Sequence, residues 1–240
     1  MIKLKKYKKT DTTSFALGAS IVYELLTRRP DLALGIYVHP DFKKGQIYQT
    51  ILKLATQHQI SLAETTKPFD SLSVKDNCLV IAEFSKFESV LDESGLQIVL
   101  VNPSNTGNLG TIIRTLVGFG TPNLAIIKPA VDLFDPKVVR ASMGSLFQLN
   151  FGYFNTFAEY RSTRPERKLF PLMTQASQDI KQAKIGSQAS LIFGTESAGL
   201  DQSYLQVGQS LIIPHTGQID SLNLPIAVGI AVYEATRTKF

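Results

Sequence analysis

Along the chain, short apolar runs alternate with stretches whose apolar residues recur every three to four positions, the pattern of strands interleaved with amphipathic helices. Phe15, Gly18, Val22, Leu25 and Leu26 keep helical spacing behind Ser14, a suitable N-cap, as far as Arg28-Arg29-Pro30. Residues 34–38 read as a strand ended by His39-Pro40; Ile47, Ile51, Leu54 and Ala55 mark a second helix; residues 60–63 and 78–84 read as further strands. Residues 85–95 are charged and weakly periodic, so the pattern breaks there. Three segments result: a basic flexible arm over 1–13, a small α/β domain over 14–90, and a larger α/β domain over 91–240.

In the larger domain, residues 98–101 form an apolar run that breaks at Asn102-Pro103 into a loop of Asn, Ser, Thr and Gly, then enters a helix carrying Arg114. Residues 124–128, 148–154, 168–173, 190–193 and 211–214 are the other strand-like runs, with helices from Pro136 and near residues 157–161. Ile226, Ile230, Tyr233 and Arg237 share one spacing in a last helix. Proline is harmless only where its missing N–H has no intrahelical partner, so that helix starts at Asn223 with Pro225 in its first turn.

Composition narrows the class. The 240 residues are 44% hydrophobic, enough for one large or two smaller cores. Cys78, the single cysteine, sits in an apolar run and suits packing in a reducing cytoplasm. No apolar run nears membrane-spanning length, and the N-terminus has no apolar signal segment. The net charge of +5 favours an anionic partner. It is concentrated in Lys3, Lys5, Lys6, Lys8 and Lys9, and in Arg161, Arg164, Arg167 and Lys168. These clusters, with Arg140, are candidate phosphate contacts, Lys5, Lys6, Arg140, Arg161 and Arg164 foremost.

Three loops that follow predicted strands combine glycine with polar side chains: residues 102–110, 194–200 and 215–221. In an α/β sheet such loops gather where ligands bind and can cradle one with backbone groups. His39, His58 and His215 are scattered and one cysteine cannot complete a zinc site, so no metal is expected. No serine sits in a nucleophile elbow, and neither G-x-G-x-x-G nor a Walker A loop occurs.

At these loops the chain resembles the SpoU/TrmH group of SPOUT methyltransferases. Asn108-Leu109-Gly110-Thr111-Ile112-Ile113-Arg114 is similar to N-x-G-x-x-x-R, and Gly194-Thr195-Glu196-Ser197-Ala198-Gly199-Leu200 to G-x-E-x-x-G-[LM]. Ile213-Pro214-His215-Thr216-Gly217-Gln218-Ile219-Asp220-Ser221-Leu222-Asn223 is similar to I-P-M-x-G-x-x-x-S-L-N. The resemblance implies a mostly parallel α/β domain closed by a deep trefoil knot, a homodimer, and an L30e-like RNA-binding domain ahead of it. It implies S-adenosylmethionine-dependent methylation of a ribose 2′-hydroxyl, in rRNA more than tRNA. Its catalytic positions fall on Arg114, Asn108, Ser221 and Asn223, and its cofactor positions on Gly194, Thr195, Glu196, Ile213, Gly217 and Leu222. Asn102, His215 and Pro225 depart from the usual residues. The alternative is a non-catalytic RNA-binding or ribosome-assembly protein that keeps the fold.

Overall fold

The computed structural model describes residues 5–72 and 77–239; Lys3 lies outside them. The chain divides into two compact units, one of residues up to Phe87 with Asp132–Gln148, the other of Glu88–Val131 with the residues from Leu149 on.

The first unit begins with β1 (Thr13–Leu17), α1 (Ala19–Arg28), β2 (Ala33–Val38), α2 (Gln46–Gln57), β3 (Leu62–Glu64), α3 (Lys67–Leu72) and β4 (Val80–Ser85). Its sheet runs β1-β4-β2-β3, antiparallel except for the β2–β3 pair. The helix expected from Ser14 is a correction: residues 13–17 are extended, and Ser14, Phe15 and Ala16 are all buried. The turn comes at Gly18, whose φ of 115° suits glycine, and its N–H donates to the Val80 carbonyl. Only from Ala19 do Ile21, Val22, Leu25 and Leu26 form the buried helical face. Residues 5–12 form neither helix nor strand, yet they are tethered. The Tyr7 hydroxyl donates to the Asp132 carboxylate, and Lys86 Nζ lies 4.7 Å from the Tyr7 ring centre while donating to the Lys9 carbonyl.

The second unit starts with β5 (Gln97–Val101), α4 (Thr106–Gly118) and β6 (Asn123–Ile127). The chain then returns to the first unit for α5 (Pro136–Ala141), which is capped by the Asp135 carboxylate and opens on Pro136. It re-enters the second unit through β7 (Asn150–Phe154), α6 (Phe157–Ser162), β8 (Lys168–Pro171), β9 (Gln178–Asp179), β10 (Ala189–Phe193), β11 (Leu211–Ile212) and α7 (Leu224–Thr236). Five strands in the order β7-β6-β5-β10-β8 make a wholly parallel sheet. Its inner strands are covered on both faces, which is why 98–100, 124–126 and 191–193 read as unbroken apolar runs. Asn223 and Pro225 begin α7 as the proline argument requires.

One basic cluster belongs largely to this core. Arg167, expected to face a phosphate, is 7% exposed. Its guanidinium donates to Ser190 Oγ and to the carbonyls of Glu93, Gly95 and Ala189, satisfying backbone groups that burial would otherwise leave orphaned. Tyr160 joins the same network through Gln97 and Ser190. Arg164 lies over the Phe154 and Tyr160 rings and pairs with Glu93 at 2.6 Å.

Candidate active site

From β5 the chain moves outward through β6 to β7, whereas β10 and β8 lie on the other side of β5. The connections therefore diverge between β5 and β10, and loops leaving the carboxyl ends of two such neighbours open a crevice. The first motif follows β5 and the second follows β10. The third arrives by another route: Leu172, just past β8, bridges to Leu211, so the loop after β11 joins the same edge.

Glu196 ties the first two motifs together. Its carboxylate accepts hydrogen bonds from Ser104 Oγ at 3.0 Å, from the Asn105 N–H at 3.2 Å and from Asn108 Nδ2 at 3.4 Å. Asn105 meanwhile caps α4, its side-chain oxygen accepting from the Asn108 N–H. Partial burial raises the Glu196 pKa, but the bonds from its own loop and from Ser104, Asn108 and Asn105 outweigh that and hold it below the usual carboxylate value.

The second motif is a closed turn. Thr195 and Gly199 exchange backbone hydrogen bonds, and Thr195 Oγ1 accepts from the Ala198 N–H. Gly194 is required there, because a Cβ would lie 2.0 Å from the Gly199 carbonyl carbon and 2.3 Å from the Leu200 nitrogen.

A cavity of about 260 Å³ separates this turn from the third motif. Gly194, Thr195, Glu196, Ile213, Ser221 and Leu222 line it. Gly217, Asn108, Arg114 and Asn223 do not. Asn108 reaches the site through Glu196. Asn223 starts α7 without a side-chain capping bond, and Gly217 takes a φ of 75° in the third loop. Arg114 is exposed on the face of α4 shared with Gly107, Thr111 and Gly118. α4 also meets α7, where the ring centres of Phe119, just past α4, and Tyr233 are 6.2 Å apart.

The sequence reading missed one wall, Leu172, Met173, Thr174 and Gln175. The available signal was positional: this loop also leaves the carboxyl end of a parallel strand, next to β10. It carries no glycine, so it did not stand out.

Among the candidate phosphate contacts, Lys5, Lys6 and Arg161 are exposed, with Arg161 Nη1 donating to the Val207 carbonyl. Arg140 is half-buried in the first unit, close enough to act electrostatically on Cys78, whose thiol burial pushes upward. Among the described residues no group of three or more His, Cys, Asp or Glu side chains could hold a metal, and no helix is long and apolar enough to cross a membrane.

A parallel α/β sheet with glycine-bearing loops gathered at its switch point defines a ligand-binding α/β domain. The SpoU rRNA Methylase family profile matches residues 95–233, and the chain belongs to that family. It is 34% identical over 149 residues to a tRNA/rRNA methyltransferase of Synechocystis described as uncharacterized, covering 60% of this chain and 54% of the relative. It is 29% identical over 155 residues to the 23S rRNA (uridine(2479)-2′-O)-methyltransferase of Streptomyces viridochromogenes, covering 61% and 54%. The chain thus spans about half the length of these two curated relatives. An AdoMet-bound rRNA methyltransferase from Sinorhizobium meliloti shares the fold, with a TM-score of 0.79 at 24% identity over 95% of this chain and 88% of the other.

Proposed function

We propose that this chain is an S-adenosylmethionine-dependent RNA methyltransferase acting on a ribose 2′-hydroxyl, with rRNA favoured over tRNA. The observation that carries the reading is the convergence of three distant glycine-bearing motifs: the first bound to the second through Glu196, the second facing the third across one cavity. The lining suits an adenosyl group. Apolar Leu172, Ile212, Leu222 and Leu224 stand beside polar groups of Thr195 and His215.

Main-chain groups at Gly194, Ile213 and Leu222 would hold the cofactor. When bound, it supplies an electrophilic methyl group on a sulfonium. The remaining demands are aligning the ribose oxygen and taking up its proton. In this reading Arg114 orients the hydroxyl through its guanidinium, a fixed donor too weakly acidic to serve readily as a base, and the proton passes to a neighbouring phosphate of the RNA. Asn108 steadies the first motif, and Ser221 and Asn223 flank the ribose.

The protein acts as a homodimer in the cytoplasm. Supporting the dimer, Ile226, Ile230 and Tyr233 form an exposed apolar stripe along α7, 56%, 38% and 56% accessible, on a helix apolar all round. Lys5, Lys6, Arg140, Arg161 and Arg164 remain the proposed RNA contacts, residues 14–90 act as the L30e-like substrate module, and the C-terminal segment is knotted. The return of β11 to pair with β9, a strand preceding β10, supports the threading.

The test is to map 2′-O-methyl sites in RNA from cells with and without the protein. A site lost with the gene and restored by transfer in vitro supports the reading; unchanged maps together with no transfer to RNA refute it.

A further inference from the structure

His215 lies in the third motif, lines the cavity and is half-buried. Its Nδ1 is 3.1 Å from the carbonyl oxygen of Ile213. A carbonyl only accepts, so Nδ1 carries the ring hydrogen, and in the neutral imidazole Nε2 holds a free in-plane lone pair. Among the described residues the ring makes no other hydrogen bond.

The two carboxylates of the lining differ from it. Glu196 is committed to the first motif, and Asp220 is exposed at the mouth. A nucleoside sulfonium carries its polar hydrogens on ribose hydroxyls, an adenine amine and an α-ammonium, and each needs an acceptor once water is displaced.

We propose that His215 Nε2 is a cofactor-positioning acceptor, receiving a donor hydrogen of bound S-adenosylmethionine while the Ile213 carbonyl fixes the tautomer. This inference rests on the reading of the cavity as the cofactor site and names a side chain that discriminates within it. Asparagine can put an amide N–H where Nδ1 stands and so keep the anchor to Ile213, but it has nothing at the Nε2 position. Glutamine reaches the Nε2 position with its amide oxygen.

Calorimetric titration of the full chain with S-adenosylmethionine tests the assignment, with thermal unfolding measured in parallel. Loss of one net hydrogen bond should weaken binding by His215→Asn about tenfold, with an unchanged melting temperature, and leave His215→Gln within about threefold of wild type. Titration with 5′-methylthioadenosine, which lacks the amino-acid half, locates the donor. An equal loss assigns the bond to the nucleoside, and no loss assigns it to the ammonium.

Wild-type affinity in His215→Asn overturns the proposal, as does equal weakening in both variants. A wild-type chain that binds no S-adenosylmethionine, or a Gly194→Val chain that binds it normally, instead refutes the cavity as cofactor site, and the proposal falls with it.

Discussion

Glu196→Ala isolates the tie between the first two motifs. The substitution strips acceptors from Ser104, Asn105 and Asn108 at 3.0, 3.2 and 3.4 Å. A net hydrogen bond contributes about 1 kcal/mol, and the longest of the three should contribute least. Removing a partly buried carboxylate also recovers desolvation, so we expect a cost of about 1–2 kcal/mol. For a chain of this size that lowers the melting temperature by roughly 2–8 °C.

Hydrogen exchange at the Asn105 amide should accelerate, because its acceptor is gone. A double-mutant cycle with Ser104→Ala should return a coupling of about 0.5–1 kcal/mol, since each single change already breaks the shared bond. The pH dependence has a defined sign. The Glu196 pKa is lowered in the folded chain, so its contribution is present above the ordinary carboxylate value of 4.5 and fades as pH falls below it. Glu196→Gln should lose that acid-sensitive share. Strict additivity in the cycle, with unaltered exchange at Asn105, would refute the tie.

Four further outcomes follow from the structure. Gly194→Ala places a Cβ 2.0 Å from backbone, so the turn must open, and calorimetry should register at least about a tenfold loss of S-adenosylmethionine affinity. Arg114→Ala, exposed and away from the cavity, should abolish methyl transfer while calorimetric cofactor binding persists; a fully active variant removes it from the mechanism. Replacing Lys5 and Lys6 by Gln should weaken RNA binding and flatten its dependence on log salt by about 0.7–0.9 per lost phosphate contact, read by filter binding. Arg167→Leu leaves the carbonyls of Glu93, Gly95 and Ala189 without their donor, and urea unfolding should show a loss of about 3–5 kcal/mol.

The parallel sheet was legible because strands buried on both faces leave unbroken apolar runs, and the site was legible because its glycines answer to local backbone demands. Gly194 has no room for a side chain, and its neighbours spell out a tight turn. The first strand was hidden for the opposite reason: Phe15 and Gly18 fall by chance at helical spacing with Val22, and the chain reversal at Gly18 is a tertiary matter. The segment around α5 carries a readable cap in Asp135 and Pro136, but no local pattern reports that Asp132–Gln148 groups with the first unit. The Leu172–Gln175 wall became visible only once strand order put β8 beside β10. The motif marked Glu196 as a cofactor position, but its tie to the first motif runs through partners 88 to 92 positions away that no local pattern reports.

The interior position of Arg167 changes how this protein should respond to ionic strength. Of the four cations between residues 161 and 168, Arg167 is sealed in the domain, and Arg164 is already paired with Glu93 and would have to exchange that partner for a phosphate. A titration with potassium chloride should therefore release fewer counterions from bound RNA than a tally of basic letters suggests. The same salt that strips the nucleic acid away should leave that corner of the domain folded.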